Sequence, residues 1–115
     1  MESNDLLINK NGHICTLVLN RPEKNNSLSP ELLNHLHQTF DQLSHTDDIR
    51  AVVIRGAGEK AFSGGFDLTA LPTNISPEHG KALKRQNPLE MAMKSLIRYP
   101  YPVFAMINGF AYGAA

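Results

Sequence analysis

Apolar and polar positions change their spacing several times along the chain, and each change predicts an element. Asp5 to Lys10 and His13 to Leu19 are short β-prone runs around Asn11-Gly12, the pair that best tolerates positive φ at both centres of a type I′ turn, so they predict a hairpin. Asn20 to Ser27 is a polar loop in which Pro22 supplies no ladder donor and the asparagines favour turns. Ser29 then offers an N-cap hydroxyl, Pro30 suits the first helical position, and Glu31 places negative charge against the helix dipole. Leu32, Leu33, Leu36, Phe40 and Leu43 keep to one face through about Ser44, which predicts an amphipathic helix lying on a sheet. Ala51 to Arg55 reads as a buried strand parallel to the earlier one, giving the order β-β-α-β. A turn at Gly56 to Lys60, a brief extended Ala61-Phe62-Ser63 and a sharp bend at Gly64-Gly65 follow, a bend that a ligand could approach. Ser76 and Pro77 open a second helix reaching roughly Arg98, with Pro88 expected to kink or interrupt it. Pro100 and Pro102 end that helix, and Val103 to Ile107 is a strand feeding Asn108-Gly109. The fold class is α/β.

Composition narrows the function classes. With 115 residues, 42% hydrophobic and 19% charged, the chain has the make-up of an ordinary globular domain, one at most. Its formal net charge of zero gives no general attraction to a phosphate backbone, so nucleic acid and anionic membrane are not expected partners. No uninterrupted apolar stretch approaches the roughly 20 residues needed to span a bilayer. The opening Met-Glu-Ser-Asn-Asp has neither the basic start nor the apolar segment of a leader, and the expected location is cytoplasmic. The single Cys15 lies in a strand-like run and reads as a small buried apolar residue. The run from Pro102 to Ala115 is apolar and small with no polar terminator, so the chain is expected to be part of something longer.

Candidate chemistry is sparse. His35 and His37 are two apart on a helix and point in different directions, and His13, His45 and His79 lack ligand spacing, so all five read as solvated surface residues. Ser63 in Phe-Ser-Gly-Gly is not a Gly-x-Ser-x-Gly elbow and reads as a hydroxyl satisfying a tight turn. Gly56-Ala57-Gly58-Glu59-Lys60-Ala61 matches a dinucleotide fingerprint, but the fingerprint needs a helix to start at once and Phe62-Ser63-Gly64-Gly65 is poorly helical. More informative is a pair of strand, glycine and helix-start junctions, Ala61 to Leu68 and Ile107 to Ala115. Each can present a free main-chain N–H, and two such groups converging on one oxygen make an oxyanion hole. From spacing alone, two ordinary glycine turns are the better reading.

Four blocks carry a resemblance: Leu17 to Leu28, Arg50 to Gly56, Ala61 to Leu68, and Pro102 to Ala115. In order and spacing they resemble the enoyl-CoA hydratase/isomerase family, the crotonase superfamily, over nearly the whole chain. The resemblance implies a crotonase-like β-β-α spiral core, incomplete in this chain, with residues 1–115 as the amino-terminal part of a single acyl-CoA-binding domain. It further implies an acyl-CoA thioester as substrate, no separate cofactor because coenzyme A belongs to the substrate, no metal, and assembly as a homotrimer or hexamer.

By the same resemblance, the oxyanion donors are the main-chain N–H groups of Phe66 and Ala114. Gly64, Gly65, Asp67 and Leu68 would line the acyl-CoA site, and Glu23, Lys24 and Asn25 would lie along CoA. Lys24 is either a phosphate partner or an ordinary exposed lysine. The reaction implied is most simply hydration of a trans-2-enoyl-CoA, with isomerisation, another reaction of the family, or non-catalytic acyl-CoA binding as alternatives. Hydratases of the family use two Glu side chains for acid/base work, and both expected positions lie beyond Ala115. Glu59 and Glu78 are not at matching sites.

Overall fold

The computed structural model describes residues 4–67 and 88–113. Strand β1 (Leu6–Asn11) pairs antiparallel with β2 (Ile14–Leu19), and helix α1 (Pro30–Ser44) carries the chain across to β3 (Ala51–Gly56), which lies parallel to β2. After β4 (Ala61–Ser63) come helix α2 (Pro88–Arg98), β5 (Val103–Met106) and β6 (Phe110–Ala111). Strands β1, β2, β3 and β5 form one sheet in that order, with β5 parallel to β3, and β4 and β6 form a separate parallel pair. The expected start of the second helix at Ser76 and Pro77 lies outside the described residues, so α2 is described only from Pro88.

Helix α1 forms where the pattern places it. Ser29 Oγ accepts the Leu32 N–H at 3.1 Å, Pro30 opens the first turn, and Leu32, Leu33, Leu36, Thr39, Phe40 and Leu43 are buried. The leucines and Phe40 meet Cys15, Leu17, Leu19, Val52 and Ile54 of the sheet in one core cluster. Tyr99, just past α2, closes its end: its ring meets Phe40 edge-on at 5.5 Å and its hydroxyl donates to the Ile49 carbonyl at 3.3 Å.

Two expectations shift. Asn11 pairs with Ile14, so the hairpin loop is Gly12-His13, and positive φ occurs at Gly12 (62°) but at neither Asn11 nor His13. That is the requirement of a type II′ turn, not I′; one glycine at the first central position suffices, and Asn11 is left free to extend the strand. Strand β3 alternates buried and half-buried residues instead of being covered on both faces, and in β5 Phe104 and Met106 are exposed. Among the described residues no helix is long and apolar enough to cross a membrane.

Candidate active site

The loop after β2 is built around a buried amide. Asn25 and Asn26 both take left-handed φ, 55° and 54°, following a 3-10 turn at Pro22–Lys24. Asparagine tolerates that region better than most side chains. Asn26 is 1% exposed; its Oδ1 accepts the Arg21 N–H at 2.9 Å, and its Nδ2 donates to the carbonyls of Ala57 (3.0 Å) and Ala61 (2.9 Å). One side chain thus ties the loop to both ends of the turn between β3 and β4. Asn108 holds the same turn from the other side: its Nδ2 donates to the Gly56 and Gly58 carbonyls and its Oδ1 accepts the Gly56 N–H. The approach is so close that a Cβ on Gly56 would lie 2.5 Å from the carbonyl oxygens of Ala61 and Phe62, and one on Gly109 would lie 2.4 Å from that of Lys60. Gly56 is therefore there for packing. The turn leads into β4 and not a helix, as the rejection of a dinucleotide site expects.

The first glycine junction hangs from this scaffold. Gly64 donates its N–H to the Asn25 carbonyl at 2.9 Å, and Gly65, at φ 88°, donates to Ser63 Oγ at 3.1 Å, so the Ser63 hydroxyl serves the turn. Leu28 donates to the Gly65 carbonyl at 2.7 Å, and Asp67 donates back to the Leu28 carbonyl at 2.9 Å. These two bonds bracket Phe66. Gly65 C=O and Phe66 N–H belong to one planar trans peptide and point in opposite directions. A carbonyl aimed at Leu28 therefore turns the Phe66 N–H away from it, and that N–H has no hydrogen-bond partner among the described residues.

The second junction comes alongside. Strand β6 pairs with β4, Tyr112 donates to the Ser63 carbonyl at 3.1 Å, and Gly113, at φ 58°, lies so near that a Cβ on it would be 3.9 Å from Gly65 Cα. The two glycine turns, separate in sequence, thus meet through their last described residues. An apolar cavity of about 320 Å³ opens next to them, with Phe62, Ser63 and Ala111 on one side and Met93 and Leu96 of α2 on another.

Of the residues expected at the site, Asn25, Gly64, Gly65, Phe66 and Asp67 are brought together, and Glu23 and Lys24 stand exposed on the turn beside them. Ala114 and Leu68 lie outside the described residues. The Asp67 carboxylate meets the Arg21 guanidinium at 3.0 Å and is largely buried. Arg21, Asn26 and Asn108 had no assigned function in the sequence, because side-chain bonds to residues distant along the chain leave no periodic signal.

Three of the histidines make side-chain contacts, His13 and His45 are exposed, and His79 lies outside the described residues. His35 meets Asp5 at 3.1 Å, His13 bonds the Asp48 carbonyl, and His37 bonds Ser95 and lies 3.5 Å from Asp41. This last trio resembles a hydrolytic triad in composition only. Ser95 sits inside α2, its carbonyl accepting from Tyr99, and a mid-helix serine has no free main-chain N–H groups around it to hold an oxyanion. Among the described residues no three His, Cys, Asp or Glu side chains gather to hold a metal.

An α/β chain whose strand-linked glycine turns meet beside an apolar cavity matches a known class of fold. The model of the family "Enoyl-CoA hydratase/isomerase" matches residues 9–115, and the chain belongs to that family, the crotonase superfamily. It is 37% identical over 105 residues to the 1,2-epoxyphenylacetyl-CoA isomerase of Escherichia coli, covering 88% of this chain and 38% of that protein. It is 29% identical over 113 residues to the short-chain-enoyl-CoA hydratase of Clostridium acetobutylicum, covering 98% of this chain and 42% of that protein. Its structure superposes on the crystal structure of an enoyl-CoA hydratase from Bacillus anthracis with a TM-score of 0.81 at 31% identity, over 96% of this chain and 42% of that one. The chain thus spans less than half the length of these relatives.

Proposed function

We propose that the protein is an acyl-CoA enzyme that holds a thioester enolate in an oxyanion hole formed by the main-chain N–H groups of Phe66 and Ala114, and that its reaction is hydration of a trans-2-enoyl-CoA. The observation carrying this reading is the Phe66 N–H, turned away from Leu28 and without a hydrogen-bond partner among the described residues, next to the place where Gly113 approaches Gly65. When a nucleophile adds to the enoyl thioester, negative charge collects on the carbonyl oxygen. Two fixed dipoles answer that charge better than they answer the neutral carbonyl, which lowers the barrier. The apolar cavity beside the junctions would take the acyl chain, and Lys24 on its exposed turn would meet a CoA phosphate. Glu59 and Glu78 are not assigned the acid/base steps. In this reading residues 1–115 are the amino-terminal part of one acyl-CoA-binding domain in a cytoplasmic homotrimer or hexamer, the assembly being testable by sedimentation.

The test is turnover of crotonyl-CoA by the whole protein, followed as loss of the enoyl thioester absorbance. Phe66→Pro deletes the donor N–H without removing any hydrogen bond among the described residues, and it is expected to cost about 100- to 1000-fold in kcat, as loss of one donor does in oxyanion holes generally. Unchanged turnover by a folded Phe66→Pro protein would exclude the assignment. An isomerase among the relatives makes isomerisation the second reading; it predicts conversion of a 3-enoyl-CoA with no consumption of crotonyl-CoA.

A further inference from the structure

The Arg21–Asp67 pair lies where it can set the direction of the Phe66 N–H, bonded to residues on both sides of the Leu28–Phe66 contact. The Phe66 peptide is oriented by the two main-chain bonds between Leu28 and the residues on either side of it, Gly65 and Asp67. Those bonds form an isolated bridge between Leu28 and Phe66, outside any named strand. A single bridge has no neighbouring ladder to hold its register, and something else must keep the two segments abreast. The Arg21 guanidinium spans them. Its Nη1 donates to the Ser27 carbonyl at 2.8 Å and lies 3.2 Å from Ser27 Oγ, one residue before Leu28, while its Nη2 donates to Asp67 Oδ2 at 3.0 Å, one residue after Phe66.

Arg21 is itself held. Its N–H donates to Asn26 Oδ1 at 2.9 Å, and its carbonyl accepts from Lys24 and Asn26. The planar fork of arginine reaches two acceptors in fixed relative positions, which lysine cannot do. The pair is sheltered, with side-chain exposures of 17% and 9%, so it is screened less than a surface ion pair.

Resting on the oxyanion reading above, we infer that Arg21 and Asp67 are positioning residues, a charged staple across the Leu28–Phe66 bridge that aims the Phe66 N–H at the thioester oxygen. Neither touches substrate. Their loss tilts the Phe66 peptide and weakens the transition state more than the ground state, because only the enolate oxygen depends strongly on that N–H.

The experiment compares the unsubstituted whole protein with Arg21→Gln, Asp67→Asn and the double variant. Two readouts are taken: kcat and KM for crotonyl-CoA, and the near-ultraviolet absorbance of enolate formed on adding acetoacetyl-CoA. The single variants are expected to lose about 10- to 100-fold in kcat with KM within about twofold, and to lose the enolate absorbance in parallel. The double variant is expected to be no worse than the poorer single one, since the two side chains act as a unit. Arg21→Lys, which keeps the charge but not the fork, is expected to recover only part of kcat. Folded variants with full kcat and full enolate absorbance would overturn the staple. Additive losses in the double variant, or unfolding of Asp67→Asn, would also overturn it by showing separate or purely structural roles. If the unsubstituted protein forms no enolate, the oxyanion reading itself fails, a result distinct from any of these.

Discussion

Asn26 concentrates more of the site's architecture than any residue the glycine pattern points to. Its side chain joins three segments, and its φ of 54° is one that most L residues resist. Asn26→Ala leaves two carbonyls and one N–H without their partners at a buried position. With about 1 to 3 kcal/mol for each unsatisfied group, offset where water enters, the expected loss is about 3 kcal/mol in urea unfolding at an unchanged m-value. Asn26→Asp tests the direction of the bonds: it keeps the acceptor facing Arg21 but turns a second oxygen toward the Ala57 and Ala61 carbonyls, and it should be at least as damaging. Sequence reading reached the glycines on either side of this amide because turn residues act locally. It did not reach the amide, since the bonds to Ala57 and Ala61 span 31 and 35 residues.

At the scale of elements, local signals were sufficient where one residue carries out one local task. The Ser29 cap, Pro30 and the leucine stripe predict α1 to its last residue, because capping and periodicity both act within a few turns. Ser29→Ala should cost about 1 kcal/mol, the usual value of an N-cap, read as a lower Tm with no change in kcat. The hairpin shows where local reasoning slips: Asn-Gly fits a type I′ turn, but pairing of Asn11 with Ile14 moves the loop one residue on. The registers of β2 with β3 and of β4 with β6 were out of reach for the same reason that the site was only partly legible. Two glycine turns look ordinary in a sequence; only the parallel pairing of β4 with β6 brings Gly113 beside Gly65. The likeness of four ordered blocks to a family supplied that convergence in advance, without the contacts that create it.

For the molecule as a whole, the core carries a pH dependence on its alkaline side. Cys15 is fully buried between the sheet and the helices, and burial pushes its thiol above the ordinary value, with Lys10 opposing weakly. Burial likewise raises the Tyr99 phenol, with smaller contributions from Cys15 and Tyr101. In both cases the folded state keeps its proton to higher pH than the unfolded chain. Above the ordinary thiol value the unfolded state therefore binds fewer protons than the folded one, and stability falls as pH rises toward the raised folded value. Below the ordinary value the contribution is complete and flat. The slope cannot exceed about 1.4 kcal/mol per pH unit for each group, first in the thiol range and then in the phenol range. Urea unfolding at a series of pH values should show that decline, and Cys15→Val, which keeps the site apolar and close in size, should remove its first stage while leaving the second. A variant that declines as steeply through the thiol range as the unsubstituted protein would place the alkaline sensitivity elsewhere than in this core.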